Sequence, residues 1–262
     1  MPTELLKTEA VTKAFGGLVA VRSVDVSIIE GQILGLIGPN GAGKTTLFNL
    51  LTGVYPVTSG EIYFKGERIT NLRQSKIVPR GICRTFQELR VFKNLTVLDN
   101  VLIGMHTQSR GNVVDALLNL PWAKAEKERT TQEAIYYLEL LGLADKKDLL
   151  VSSLPYGDQR RVEVARALAA KPDLLLLDEP AAGMNISEAA KLTEFIKWLN
   201  IELKKTILLI EHNMRVVMPV ADHVVVLNQG EKIFEGSPAE VQKSLKVIEA
   251  YLGTAYLRDR QG

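Results

Sequence analysis

Short runs of apolar residues alternate along the chain with longer stretches in which apolar residues recur every three or four positions. The clearest short runs cover residues 33–37, 174–178 and 206–210, and their length is typical of buried strands. Weaker strand patterns follow at residues 61–64, 82–86, 224–227 and 232–235. Strands that alternate with helices predict an α/β fold, in which helices cover a sheet.

Helical spacing predicts individual helices and one longer helical insert. Helices are expected at residues 44–51 and 187–203, each directly after a predicted strand and its loop. From about residue 96 to residue 143 strand patterns vanish and helical spacing dominates. The spacing is clearest at Ala134, Tyr137, Leu138 and Leu141. We therefore predict a helical subdomain inserted into the α/β body.

Composition limits the function classes. A chain of 262 residues has room for one large α/β domain, and its net charge of +2 does not point to nucleic acid. The single cysteine, Cys83, rules out an intrachain disulfide and fits a reducing compartment. No secretory signal opens the chain, and its apolar runs are far shorter than a membrane span. We expect a protein that is soluble or held at a membrane by a partner.

Residues 38–45 match the pattern G-x-x-x-x-G-K-[ST] between a predicted strand and a predicted helix. Glycines allow positive φ and let main-chain N–H groups close around phosphate oxygens, while the helix dipole favours the same anion. Lys44 is expected to neutralise the β- and γ-phosphates, and Thr45 offers a hydroxyl to Mg²⁺. The alternative is an ordinary glycine-rich turn, which the match at every position of the motif disfavours. The predicted nucleotide-binding residues here are Gly38, Pro39, Asn40, Gly41, Ala42, Gly43, Lys44, Thr45 and Thr46.

A second acidic motif ends the apolar run 174–178 with two carboxylates, Asp178 and Glu179. A buried strand can hold Asp178 beside the phosphate loop, where it helps to bind Mg²⁺. Glu179 then faces the γ-phosphate and can polarise the attacking water as a general base. The alternative is a strand followed by a solvated acidic turn.

Further segments complete a pattern that resembles the nucleotide-binding subunits of ABC transporters. Residues 154–161 (LPYGDQRR) resemble the signature motif, usually read L-S-G-G-Q, which we call the signature segment. Gln87 matches the Q-loop, residues 181–185 the D-loop and His212 the switch histidine. Phe15 sits where the family stacks an aromatic ring on adenine. The resemblance covers essentially the whole chain in order.

The resemblance implies a fold and a set of site residues. The fold is a single domain, residues 1–262, with a P-loop NTPase core, an antiparallel β portion, a helical subdomain at about 93–165 and a tail at 253–262. ATP lies between the phosphate loop of one subunit and Gly157 of a second subunit. The implied catalytic residues are Glu179, His212, Lys44 and Gln87. The implied Mg²⁺ ligands are Thr45, Gln87 and Asp178.

Residues 81–87, 94–97, 156–161 and 251–253 resemble most closely the subgroup that energises branched-chain amino acid uptake. This implies two permease subunits of an inner-membrane transporter, a second homologous ATPase subunit or a second copy of this chain, and an extracytoplasmic solute-binding protein. The protein then lies at the cytoplasmic face of the membrane. Relatives that serve urea, short amides or lipopolysaccharide export stay open as alternatives. A non-transport ABC ATPase is disfavoured by the single phosphate loop, and an inactive regulatory subunit by the intact site residues.

The signature segment departs from the usual motif. Pro155 replaces Ser, Tyr156 replaces the first Gly, and Asp158 replaces Gln, while Gly157 is kept. We expect Asp158 to cap a helix over residues 159–170 by accepting from its free N–H groups.

The D-loop also departs from the usual motif, and two charged segments are expected to be solvated. Asn185 replaces the usual Asp of the D-loop. Arg160 and Arg161 are expected to form a solvated helix face, and residues 145–148 a solvated loop.

The apolar residues after Gln87 have two interpretations. Leu89, Val91, Phe92 and Leu95 stand among basic and polar neighbours. They either pack into the helical subdomain or, as the resemblance implies, line a groove that receives a short permease helix.

Overall fold

The computed structural model describes residues 3–85, 91–105 and 121–252. The chain divides into two compact units. The first combines Met1–Ile77 with Asp173–Gly262, and the second is Val78–Pro172. No helix in the described residues is both long and apolar enough to cross a membrane.

The elements in chain order are as follows. The strands are β1 (Glu4–Phe15), β2 (Leu18–Val24), β3 (Ser27–Ile29), β4 (Ile33–Ile37), β5 (Ser59–Phe64), β6 (Glu67–Arg68), β7 (Ile82–Arg84), β8 (Leu174–Asp178), β9 (Thr206–Ile210), β10 (His223–Asn228) and β11 (Glu231–Gly236). The described α-helices are α1 (Lys44–Leu51), α2 (Gln74–Ile77), α3 (Val97–Met105), α4 (Pro121–Leu140), α5 (Tyr156–Ala169), α6 (Ile186–Ile201), α7 (Met214–Val220), α8 (Pro238–Lys243) and α9 (Leu245–Leu252). Short 3₁₀ turns cover Val78–Arg80, Ala144–Lys146 and Val151–Ser153.

The centre of the first unit is a mainly parallel sheet. Its strands run in the order β11-β10-β4-β9-β8, and only β11 pairs antiparallel with its neighbour. Every residue of β4, β8 and β9 is buried, as expected of parallel strands that are covered on both faces. The carboxyl ends of these three strands lead into the phosphate loop, Glu179 and His212.

The first unit also contains an antiparallel sheet in the order β2-β1-β5-β6, with β3 paired to β1. The predicted antiparallel β portion is therefore present. Its long strand β1 buries Leu6 and Thr8 and then Val11 and Lys13, so the alternation expected of a half-buried strand changes parity near Ala10, whose φ is 46°. Phe15 ends β1 and Leu18 begins β2, and the two residues pair with each other at the turn of this hairpin, where both are exposed.

In the part of the second unit that the structure describes, the elements are helices and 3₁₀ turns, apart from the short strand β7. Helices α3, α4 and α5 bury an apolar cluster that includes Val97, Val101, Ala134, Leu138, Val162 and Leu168. Gly104 lets α3 approach α5 closely, since a Cβ at this position would lie 2.2 Å from the carbonyl oxygen of Arg166. The helical insert predicted at about residues 93–165 lies inside this unit, whose bounds are wider at both ends.

Most element predictions are confirmed, with different bounds at several ends. The runs 33–37, 174–178 and 206–210 form β4, β8 and β9 with the predicted bounds. Helix α5 begins at Tyr156 rather than at residue 159, because Pro155 has a φ of −56° and serves as the N-cap. The tail at 253–262 and the end of the predicted strand 82–86 lie outside the described residues.

Candidate functional site

The phosphate loop, residues 38–45, joins the buried strand β4 to helix α1. Gly41 and Gly43 adopt φ values of 78° and 98°, in the left-handed region that glycine enters without penalty. A Cβ on Gly43 would lie 2.5 Å from the carbonyl oxygen of Ala20. The loop is therefore held in a tight curl that turns its main chain toward the start of α1.

An open cleft of about 410 Å³ lies over this loop. Its lining consists of Leu18, Val19, Ala20, Asn40, Gly41, Ala42, Gly43, Lys44, Thr45, Thr46, Glu179 and Gln229. The structure thus brings most of the predicted loop residues together with Glu179. The residues from β2 and Gln229 were missed, because they reach the cleft through long-range pairing such as the hydrogen bond from the Gly230 N–H to the Ala42 oxygen, 3.1 Å.

Lys44 is almost fully buried within the loop. Its Nζ donates to the carbonyl oxygens of Gly38, at 2.7 Å, and Pro39, at 3.1 Å. Burial lowers the pKa of Lys44, and the nearby carboxylates of Glu179 and Asp178 partly oppose this shift. The ammonium group is thus positioned at the loop with two acidic groups within electrostatic reach.

The predicted metal ligands provide oxygen atoms. Thr45 lies in the first turn of α1 with an exposed side chain, and Asp178 ends β8 as a buried residue. Hydroxyl and carboxylate oxygens suit Mg²⁺. Among the described residues no three His, Cys, Asp or Glu side chains are grouped to hold a metal ion. This donor set fits an ion held by one or two protein groups together with nucleotide phosphates.

Glu179 and His212 lie side by side at the carboxyl ends of adjacent strands. Glu179 Oε2 is 3.6 Å from His212 Nδ1, and the Glu179 N–H donates to the Ile210 oxygen at 2.9 Å. The φ of Glu179 is 43°, which costs a non-glycine residue roughly 1–3 kcal/mol and is common at functional sites. The Glu179 side chain is mostly buried while that of His212 is half-exposed, so the pair meets at the cleft surface.

Phe15 is exposed rather than buried in the core, with 43% of its surface accessible. Phe15 is therefore not a core residue. Its ring packs edge-on against Tyr55 at 5.3 Å between centroids, and Lys13 Nζ lies 4.9 Å from the Phe15 centroid. Among the described residues Phe15 does not line the cleft itself, although Leu18 of the same hairpin does.

The signature segment begins helix α5, and two expectations about it are wrong. Asp158 does not cap a later helix, because it lies in the first turn of α5, where its carboxylate pairs with Lys146 at 2.7 Å and with Arg161 at 3.6 Å. The loop at 145–148 is therefore only partly solvated. Arg160 is buried rather than solvated, and its guanidinium pairs with buried Glu163 at 2.6 Å.

Gly157 of the signature segment has open surroundings, whereas Asn185 of the D-loop is held by a helix cap. Gly157 is exposed in the first turn of α5, and a Cβ there would meet no atom within 4 Å. Asn185 caps α6 in a reciprocal capping box with Glu188, whose side chain accepts from the Asn185 N–H at 2.9 Å. The amide that replaces the usual D-loop Asp is thus part of a helix start.

Phe92 presents an exposed ring on a fixed main chain. Its ring is 49% accessible and lies 5.6 Å from the Arg166 guanidinium carbon. Buried Asn100 accepts from the Phe92 N–H at 2.8 Å and donates to the Phe92 oxygen at 3.0 Å. Phe92 is therefore not a core residue, although its ring packs against Arg166 of the same unit. Gln87 and Leu89 lie outside the described residues.

Comparisons with known proteins agree with this arrangement. Residues 21–182 match the family model described as ABC transporter, and residues 231–256 match one described as branched-chain amino acid ATP-binding cassette transporter. The chain is 41% identical over 255 residues, covering 97% of this chain and 100% of its relative, to the high-affinity branched-chain amino acid transport ATP-binding protein BraF of Pseudomonas aeruginosa. It is similar to the crystal structure of the ADP conformation of an ABC transporter cassette, with TM-score 0.81, 35% identity and coverage of 95% and 99%. It is also similar to a dimeric bacterial ABC transporter cassette, with TM-score 0.74, 26% identity and coverage of 89% and 99%.

Proposed function

The chain belongs to the ABC transporter family of ATP-binding proteins, and from this premise we propose that it hydrolyses ATP to drive branched-chain amino acid import through a membrane permease. The observation that carries the proposal is the cleft, which places Glu179 over a complete phosphate loop. Identity of 41% along nearly the whole chain to a branched-chain amino acid transport protein supports the choice of solute. The match at residues 231–256 supports it independently.

ATP binding follows from the loop geometry. The main-chain N–H groups of the phosphate loop and the start of α1 face the cleft, where they bind the phosphate groups. Lys44 exchanges its carbonyl partners for the β- and γ-phosphates, which compensates the charge of a mostly buried ammonium group. Phe15, exposed beside Tyr55, offers its face to adenine.

Thr45 and Asp178 hold Mg²⁺ in this proposal, with Gln87 as a third ligand. The ion neutralises charge on the β- and γ-phosphates when it is bound. Asp178 suits this role because it ends a buried strand that leads into the cleft.

Hydrolysis uses Glu179 as the base that accepts a proton from the attacking water. His212 contacts the same carboxylate and is placed to sense the γ-phosphate. Gln87 completes the proposed catalytic set with Lys44, Glu179 and His212. Two cassettes pair so that Gly157 of one approaches the ATP held by the other, and the dimeric cassette among the similar structures supports this pairing.

The permease docks on the patch that includes Phe92. The ring is exposed, basic Lys93 adjoins it, and Asn100 fixes its main chain. An exposed aromatic residue on a rigid support is a typical anchor for a partner helix. The partners are two permease subunits of the inner membrane, a second ATPase subunit or a second copy of this chain, and indirectly a solute-binding protein. The protein then lies on the cytoplasmic face.

The test of catalysis is Glu179→Gln in the assembled transporter. ATP hydrolysis should slow roughly 10²- to 10⁴-fold because the general base is lost. The isolated subunit should still bind ATP by calorimetry, whereas the control Lys44→Ala should bind it weakly because a charge at the phosphates is removed. Near-normal turnover of the Glu179→Gln transporter excludes Glu179 as the base.

The test of coupling is Phe92→Ala, with uptake of labelled leucine as the readout. Co-purification of the permease and leucine uptake should fall, while ATP binding and the melting temperature of the isolated subunit stay unchanged. A large drop in melting temperature, or normal uptake, contradicts docking at Phe92. Normal leucine uptake by cells that lack this gene contradicts the assignment of the solute.

A further inference from the structure

Glu211 is a buried carboxylate that none of the proposed roles uses. It follows directly after β9 and immediately precedes His212. Its relative exposure is 0%. Burying a carboxylate costs free energy unless new hydrogen bonds replace those that it made to water. The hydrogen-bond partners of Glu211 therefore indicate its role.

The two oxygens of Glu211 accept hydrogen bonds from two separate chain segments. Oε1 accepts from the Ala181 N–H at 2.7 Å. Oε2 accepts from the N–H groups of His212, at 3.2 Å, and Asn213, at 3.3 Å. Burial raises the pKa of Glu211, and the N–H donors of Ala181 and Asn213 act against this shift.

The two segments carry the two proposed reacting side chains. Ala181 lies two residues after Glu179, in the turn that begins at Glu179, whose φ is positive. The other donors belong to His212 itself and to Asn213, which caps α7 by accepting from the Arg215 N–H at 3.1 Å. Glu211 therefore ties the turn after Glu179 to the start of the segment that holds His212.

We propose that Glu211 is a positioning residue, which fixes Glu179 and His212 relative to each other through the main chain of both segments. The proposal rests on the proposed function, because it assigns Glu211 a role in that same reaction. On this proposal, the hydrogen bonds of Glu211 keep Glu179 at 3.6 Å from His212 although the φ of Glu179 is strained. Both oxygens must accept, so a carboxylate is required.

The discriminating variant is Glu211→Gln in the assembled transporter. Glutamine keeps the volume, but one of its two terminal atoms is an acceptor oxygen and the other is an NH₂ group, which can only donate, so it can hold only one of the two segments. The kcat for ATP should fall roughly 10- to 100-fold, the scale of a small misplacement of catalytic groups. The KM for ATP, and ATP binding by the isolated subunit, should change less than about twofold, since the phosphate loop is untouched.

A double-mutant cycle separates positioning from a general structural effect. In the Glu179→Gln background, Glu211→Gln should slow hydrolysis no further, because the group that it positions is already gone. The control is Asp222→Asn, which alters an exposed carboxylate at the amino ends of the same parallel strands. Asp222 also accepts a main-chain N–H, that of Ile33 at 2.8 Å, and the control should leave kcat unchanged.

Three outcomes overturn the proposal: unchanged kcat in Glu211→Gln, a loss that multiplies with that of Glu179→Gln, or a kcat loss that Asp222→Asn reproduces. If Glu211→Gln does not fold, Glu211→Asp is measured against the same criteria, since it keeps both acceptors on a shorter arm. Slow hydrolysis by Glu179→Gln together with normal hydrolysis by Glu211→Gln rejects this inference alone. Normal hydrolysis by Glu179→Gln rejects the proposed function instead.

Discussion

The phosphate loop and the signature segment are held in place by different kinds of contact. In the phosphate loop, glycine φ values and main-chain contacts define the curl, as at Gly43, where a Cβ would overlap the Ala20 oxygen. In the signature segment, the start of α5 is surrounded by ion pairs that involve Asp158 and Arg160. No side chain caps this helix, whose N-cap is Pro155.

The difference explains why one region matches its motif and the other departs from it. A loop defined by its main chain tolerates few residue types at its glycines, because each one occupies a crowded or left-handed position. A helix start exposes its N–H groups whatever the side chains are. Pro155 suits that position by its φ. Substitutions can therefore accumulate in the signature segment while Gly157 stays exposed in the first turn of α5. The following predictions, ordered by their expected effect on the free energy of unfolding, test this contrast.

The largest effect is expected for Arg160→Ala, which removes the 2.6 Å ion pair to the buried carboxylate of Glu163. Breaking a buried pair in this way costs about 3–5 kcal/mol, and chemical denaturation of the isolated chain measures it. The paired substitution Arg160→Met with Glu163→Leu serves as the control, since it removes both charges and should recover most of the loss. A cost below about 1 kcal/mol would show that this side-chain pair does not stabilise α5.

A smaller effect on stability, but a larger one on ATP binding, is expected for Gly43→Ala. The left-handed φ alone costs roughly 1–3 kcal/mol, and the overlap with the Ala20 oxygen displaces the loop. ATP affinity measured by calorimetry should fall strongly. The control is Gly66→Ala, at a φ of 76° with no atom within 4 Å, which should lose stability without losing ATP affinity. Normal binding by Gly43→Ala contradicts a loop defined by its main chain.

A still smaller effect is expected for Lys146→Ala. Its ion pair with Asp158 is partly exposed, at 32% and 12% of the two side chains, so screening by solvent limits its contribution to about 0–1 kcal/mol. Melts at low and high salt should converge for the parent and the variant, because salt screens the pair. A loss that does not depend on salt points instead to packing by the lysine stem.

The smallest effect on stability is expected for Gly157→Ala. Open space surrounds a Cβ at this position, and the residue lies in the first turn of a helix, where alanine is tolerated. The melting temperature and ATP binding of the isolated chain should stay unchanged. Hydrolysis by the assembled transporter should fall, because the added methyl lies where the second subunit's ATP is proposed to bind. A lower melting temperature contradicts the open surroundings of Gly157.

Much of the fold could be predicted because its strands are uninterrupted apolar runs. β4, β8 and β9 each bury five consecutive residues, and a polar or glycine-rich loop follows each one. The helix start at Tyr156 was missed because Pro155 was interpreted as a lost motif position rather than as a helix N-terminus. The buried pair of Arg160 could not be found, since spacing alone does not show which face of α5 is covered.

The candidate site was predictable where a motif fixes the chemistry, and not where distant strands supply the residues. Lys44 and Glu179 came from local patterns, and the structure places both at one cleft. Gln229 and Glu211 carry no local pattern, because their positions depend on strand pairing and on burial. The sequence shows Glu211 only as one acidic residue before a histidine, and its role can be inferred only from the three N–H groups that donate to it.

The clamp by Asn100 has an evolutionary consequence. At position 92 Asn100 bonds only to the main-chain N–H and oxygen, so these two hydrogen bonds do not depend on which side chain stands there. Proline is the one residue that the clamp rejects, because it has no N–H to donate. Position 92 can thus change its side chain while its main-chain support stays constant. Because the permease is proposed to dock there, this position is a natural site for duplicated copies of such a subunit to diverge in their choice of permease, and a practical one for engineering a new pairing.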